Sequence, residues 1–214
     1  MNQRGQVFLY GSGGHAKVVL DILRLRGAAV VALLEDDESR LDMDVMGVPV
    51  VRAEQALQTL KDQGVLYGVI AIGDNRIRSE KAELIRKEGY ELLSAVHPAA
   101  ILADSVLVGA GTVIMAGVVI NWDAQIGENV ILNTSCTVDH DDVIGNHVHL
   151  SPGVHLGGNV TIGDWTHIGI GASVLPGISI GSNSIVGGGA VVTQDVPDGV
   201  TAIGVPARII PPSS

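Results

Sequence analysis

Hydrophobic positions follow two different rules along this chain. Residues 6 to 10 read as a buried parallel strand that runs straight into Gly11-Ser12-Gly13-Gly14. Over residues 15 to 26, Ala16, Val19, Leu20 and Leu23 recur with helical spacing beside Val18 and Ile22, and Gly27 ends the helix. Residues 29 to 34 give a second strand that leads into Glu35-Asp36-Asp37-Glu38, and residues 68 to 72 a later one that ends in Gly73-Asp74-Asn75. With helices at residues 53 to 63 and 78 to 88, this region predicts a small Rossmann-like α/β unit.

From residue 102 a different period takes over. Stepping by six from Leu102 to Val192 meets 16 positions, every one aliphatic. Neither a helical period of 3.6 nor strand alternation forces such a phase. Eight of these positions are followed directly by glycine, and five of the glycines, at 109, 127, 145, 163 and 181, fall 18 apart. A coil of three hexapeptides closing as a triangular prism explains both periods, with about five coils stacked at roughly 4.8 Å. The fourth residue after each aliphatic is mostly small or β-branched and fills the space beside it. Cys136 occupies that inward phase and reads as core. Asp142 breaks the phase, so it must lie at a widened corner or keep hydrogen-bond partners, which draws attention to the chain near residue 140.

Composition sharpens the division. The 28 glycines and 3% aromatics fit many short elements around an aliphatic core. The net charge of -10 argues against nucleic acid as a partner. Residues 1 to 95 carry 12 basic and 14 acidic side chains, whereas residues 96 to 214 carry Arg208 alone against nine acids. Two domains are therefore expected, 1 to 95 and 96 to 214. The polar start before residue 7 is too short in apolar character for a signal peptide or membrane span, and the single cysteine fits a reducing compartment, so a cytoplasmic protein without membrane association is expected.

A glycine turn at a strand's carboxyl end offers backbone N–H groups and a helix N-terminus to an anion. Gly11, Ser12, Gly13, Gly14 and His15, with Lys17 nearby, are accordingly candidates for a nucleotide or nucleotide-sugar site; the alternative is a merely tight structural turn. Glu35 and Asp36 lie where ribose or base groups would be received, unless they form a solvated loop. Asp74, Asn75 and Arg76 stand at another strand end. In the repeats, His140, His147, His149, His155 and His167 fall within 28 positions. The run Asp139-His140-Asp141-Asp142 sets an imidazole among carboxylates, which raise its pKa and fix its tautomer, as suits a general base. Adding 18 stacks Trp122, His140 and Gly158 in one column, so the Gly158 backbone lies beside the imidazole. Asp141 can orient His140 only if the chain turns there; Asp123, Asp139 and Asp142 compete for that role. A metal site needs three or four convergent ligands, and the columns scatter these histidines, so no metal is expected.

The repeated [LIV]-G-x-x-x-x pattern resembles that of the hexapeptide-repeat acyltransferases. Joined to the leading G-S-G-G-H-A-K turn, the chain from Val7 to Arg208 is similar to the bacterial sugar acyltransferases that acetylate the amino group of nucleotide-linked 4-amino sugars, including the bacillosamine and perosamine pathway enzymes. The resemblance implies a left-handed parallel β-helix after the α/β domain, homotrimers with active sites between subunits, acetyl-CoA as cosubstrate and a nucleotide amino sugar as acceptor. It further implies His140 and Asp141 as base and orienting acid, His149 near the acetyl group and Gly158 as a backbone donor to its carbonyl. CoA would be held near Ile170 and Gly188, with Arg208 the one basic candidate. Sialic-acid O-acetyltransferases share the layout, so a hydroxyl acceptor is the competing enzymatic reading; a non-catalytic β-helical scaffold is another.

Overall fold

A computed structural model describes residues 5 to 210. The polar residues 1 to 4 and the tail from 211, including Pro212, lie outside the described residues. Two compact units divide between Pro98 and Ala99.

The first unit is a six-stranded sheet with three helices. Strand β1 (Gln6–Tyr10) leads into α1 (Gly14–Leu25) and β2 (Ala29–Glu35). A hairpin, β3 (Asp44–Val45) and β4 (Val48–Arg52), follows, then α2 (Ala53–Asp62), β5 (Tyr67–Ile70), α3 (Asn75–Lys87) and β6 (Glu91–Leu92). The sheet order is β3-β4-β2-β1-β5-β6, parallel except for the hairpin. The chain leaves β1 for β2 on one side and returns as β5 on the other. Such a switch opens a crevice at the strands' carboxyl ends, where ligands bind in open α/β sheets. The core beneath combines Phe8, Leu34, Ile70, Ile85 and Tyr90, with Phe8 and Tyr90 edge to face at 4.9 Å. Helix α3 starts three residues before the sequence pattern suggests, because the Asp74 carboxylate accepts the Ile77 N–H and caps it. The β3–β4 hairpin has no counterpart among the elements that the hydrophobic pattern predicts.

The second unit is a left-handed parallel β-helix. Each rung is a two-residue strand whose second residue is the six-period aliphatic, and those up to Ser173–Val174 pair in parallel with the strand 18 residues on: Ile120 with Val138, Ile126 with Ile144, Leu132 with Leu150. Three sheets result, one per prism face. The third residue after the aliphatic turns the corner with positive φ, as at Asp123, Asn129, Ser135, Asp141 and Asn159. Asn and Asp tolerate this left-handed region better than other non-glycine residues. Val130, Cys136, Val148, Val154 and Val160 fill the inward phase, fully buried. Burial pushes the Cys136 thiol up to about 12. The far end is closed by Thr201–Ile203, parallel to Ile185–Val186, and by the antiparallel Arg208–Ile210.

Candidate active site

His140 follows the rung Thr137–Val138 and stands on a corner whose next residue, Asp141, has φ +60°. That turn folds the Asp141 side chain back along the imidazole, and Nδ1 lies 2.8 Å from Asp141 Oδ2. The candidate acids thus separate by task. Asp141 meets the ring. Asp139 Oδ1 accepts from the His140 N–H at 2.7 Å and from Asn121 Nδ2 at 2.8 Å, so it holds backbone. Asp142 is fully buried and accepts two backbone N–H groups, from Val160 and Asp139. With Asp141 accepting at Nδ1–H, the second ring nitrogen, Nε2, carries the lone pair. The Asp141 hydrogen bond, above all, raises the His140 pKa from its ordinary value.

Gly158 sits one coil further on, directly against this ring. A Cβ there would come within 2.5 Å of His140 Cε1 and Nε2 and 3.0 Å of Nδ1, so glycine is what lets the imidazole lie on the chain. The next residue ties the two coils together, Asn159 N–H donating to the His140 carbonyl at 2.9 Å. The Gly158 N–H has no acceptor among the described residues. A basic nitrogen and a backbone donor therefore share one small surface.

The other histidines have different neighbours. His149 lies on another sheet, in the rung His149–Leu150, stacked on His167 at 4.8 Å with Nε2 3.2 Å from Asn133 Nδ2. Within one chain it does not join the His140 corner. His147 stacks on Trp165, His155 Nδ1 lies 3.0 Å from the Thr137 hydroxyl and His167 Nε2 2.8 Å from Ser151 Oγ. Ile170 and Gly188 stack on a different corner, where the Gly189 N–H donates to the Ile170 carbonyl at 2.8 Å and the Ile170 side chain is exposed. Arg208 is exposed and donates to the Ala207 carbonyl. Among the described residues no group of three or more His, Cys, Asp or Glu could hold a metal ion.

The first unit carries a cleft of about 370 Å³ over the glycine turn. Gly11, at φ +108°, passes so close to the chain just after β5 that a Cβ would lie 2.8 Å from the Ala71 carbonyl oxygen. Ser12 Oγ donates to Glu35 Oε2 at 2.6 Å, while Glu35 Oε1 accepts the N–H groups of Asp36 and Asp37. Glu35 thus shapes the rim from within. Asp36 accepts from the Tyr10 hydroxyl at 2.9 Å and pairs with Lys81 at 2.7 Å. Burial and Asp36 together push the Tyr10 hydroxyl well above its usual pKa. Arg40 reaches the Ser12 carbonyl at 3.3 Å, and Lys17 lines a neighbouring cleft of about 260 Å³ with it. His15 is pushed down to about 4 by burial first and by the Arg78 charge second.

Three residues expected near this cleft do not line it. Asp74 caps α3, Arg76 is exposed, and Asn75 Oδ1 accepts from the buried Arg78, which also donates to the Ile72 and Gly73 carbonyls. Ile77 and Lys81, from the same helix, line it instead, together with Arg40 and Tyr10. Lys81 stands six residues beyond Asn75, on the helix face that a start at Asn75 turns toward the cleft.

Comparison with known proteins places the molecule. The PglD N-terminal domain family model matches residues 6–85. UDP-N-acetylbacillosamine N-acetyltransferase of Bacillus subtilis is 39% identical over 113 residues, so the chain spans about half the length (51%) of that curated relative, with 51% of this chain aligned. The acetyltransferase domain of PglB from Neisseria gonorrhoeae, solved with acetyl coenzyme A, is 36% identical, covers 98% of this chain and 100% of its own and superposes with TM-score 0.90. A variant of perosamine N-acetyltransferase from Caulobacter crescentus, solved with CoA and GDP-perosamine, is 45% identical over 97% of this chain and 98% of its own, with TM-score 0.93. Identity at that level over nearly the whole of both chains, on the same α/β unit and β-helix, shows that the chain belongs to the nucleotide amino-sugar N-acetyltransferases.

Proposed function

We propose that this protein transfers the acetyl group of acetyl-CoA to the C4 amine of a nucleotide-linked amino sugar, with His140 as general base. The observation that carries this reading is the 2.8 Å His140–Asp141 pair laid against Gly158. His140 Nε2 removes a proton from the amine as its nitrogen attacks the thioester carbonyl carbon. The new C–N bond leaves negative charge on the carbonyl oxygen, and the Gly158 N–H stabilises it. The C–S bond then breaks, CoA thiolate departs and takes up a proton, and Asp141 steadies the imidazolium until its proton is lost. No acyl-enzyme is required; the buried Cys136 thiol, at about 12, supplies no nucleophile.

The nucleotide belongs over the glycine turn, where Gly11 to His15 meet Asp36, Arg40 and Lys81. The relatives solved with CoA or acetyl coenzyme A support the donor, and the one solved with GDP-perosamine supports the acceptor class. We place CoA along the Ile170–Gly188 corner with Arg208. His140 is 62% exposed on a single prism, which suits a pocket closed by a second copy in a homotrimer. His149 of a neighbouring copy would then face the acetyl group. Thiol release from acetyl-CoA, measured against a panel of nucleotide 4-amino and 4-hydroxy sugars, tests the reading. Amine-dependent turnover is expected, falling about 10²- to 10⁴-fold in His140→Ala. Turnover with hydroxyl acceptors alone, or none in the panel, would overturn it.

A further inference from the structure

We infer that Asp142 is a positioning residue: its buried carboxylate pulls the turn at residues 139 to 142 off the sheet ladder and sets the His140 imidazole on Gly158. The inference rests on the proposed role of His140.

Asp142 belongs to a column of inward residues, Ala124 before it and Val160 after it, and is fully buried. Other polar residues in the inward phase follow a simple scheme. The hydroxyls of Thr112 and Thr166 each accept the N–H 18 residues on, from Val130 and Ser184, and each donates to a carbonyl, of Gly127 and Gly181. Asp142 copies the first half, accepting the Val160 N–H at Oδ1 with 2.8 Å. A carboxylate has no proton to donate, and its second oxygen takes the Asp139 N–H at 2.8 Å instead.

That second bond has a visible consequence. At other rungs the N–H following the aliphatic joins the ladder: Asn121 donates to the Val138 carbonyl, Asn133 to Leu150, Gly157 to Val174. The Asp139 N–H turns inward to Asp142. Where the rungs before and after pair at two positions, Thr137–Val138 pairs with the next coil only at Thr137 and His155. The interruption falls directly before His140. A carboxylate in an aliphatic column is costly, and burial pushes its pKa up to about 6 although both N–H donors favour the charged form. Packing alone would be served by the Val or Thr found elsewhere in the same phase.

The test is Asp142→Thr, which keeps an acceptor for Val160 and loses the one for Asp139, with Asp142→Asn as an isosteric second variant whose amide N–H₂ faces the same donor. The crystal structure of either variant is expected to show Asp139 N–H returned to the Leu156 carbonyl and the imidazole lifted off Gly158. In the acetyl-transfer assay kcat is expected to fall at least tenfold with both KM values within twofold, while the melting temperature holds or rises. In a His140→Ala background the same substitution should cost nothing further. Thr112→Val, a change in the same phase remote from the turn, should leave kcat unchanged. A folded Asp142 variant with His140 still on Gly158, or with unchanged kcat, would overturn the inference. If the intact protein turned over no amine, the proposed function would fail by itself, and the position of the turn in the variant structures would still decide the role of Asp142.

Discussion

Replacing Gly158 with alanine tests the site at its tightest contact. The new methyl carbon would stand 2.5 Å from His140 Cε1 and Nε2, against about 3.5 to 4.0 Å for ordinary carbon contacts. The chain at 158 is anchored through the neighbouring Asn159 N–H, so the ring must yield, by about 1 Å. The imidazole is mostly exposed and can swing outward cheaply, so the fold should keep its stability, with a melting temperature within about 2 °C of the parent. Catalysis is less forgiving: a reacting group displaced by about 1 Å loses about 10²-fold in rate, equivalent to about 2.7 kcal/mol. Because alanine keeps the backbone N–H at 158, the oxyanion donor survives and the loss reports on the base alone. The assay is thiol release at saturating acetyl-CoA and acceptor, paired with thermal unfolding. A kcat near the parent value in a folded Gly158→Ala protein would refute the reasoning.

Asp141→Asn should lower kcat and move the acid limb of the pH–rate profile to lower pH. The Asp141 hydrogen bond is the chief cause that raises the His140 pKa, and only the neutral imidazole takes a proton from the amine; an unmoved limb would contradict this. Lys81→Met should raise KM for the nucleotide sugar about tenfold while kcat and the KM for acetyl-CoA stay within twofold, read by steady-state kinetics. His15 is buried neutral at about 4, so between pH 6.5 and 4 the unfolded chain binds the proton more readily. Its contribution is complete above pH 6.5 and is lost as the pH falls. The parent should therefore lose up to about 3 kcal/mol over that window relative to His15→Gln, measured by denaturant titration at several pH values.

The β-helix could be read from the chain because its geometry repeats. One aliphatic residue per six and one glycine phase per 18 leave little freedom, and the same arithmetic placed Gly158 beside His140. The orienting acid stayed ambiguous among four carboxylates because side-chain direction reverses at a left-handed corner. Val138 plus three gives Asp141 such a corner, a rule that shows only once Asn129, Ser135 and Asn159 are seen in the same phase. The α/β cleft was less legible. Its glycine turn is local and visible, but Arg40, Lys81 and Tyr10 converge from three separate elements. The strand-end position of Asp74 and Asn75 points to a ligand, whereas the bonds visible in the structure are the cap on α3 and the one to the buried Arg78. The hint was present in the run Asp74-Asn75-Arg76-Ile77, a polar N-cap before a helical pattern.

The most direct measurement is a crystal structure of this protein with CoA and a nucleotide 4-amino sugar bound together. The sugar's C4 nitrogen is expected within about 2.6 to 3.2 Å of His140 Nε2, with the CoA sulfur beside Gly158. An amine held beyond reach of that imidazole, or a CoA sulfur held away from Gly158, would contradict the assignment of His140 as the base.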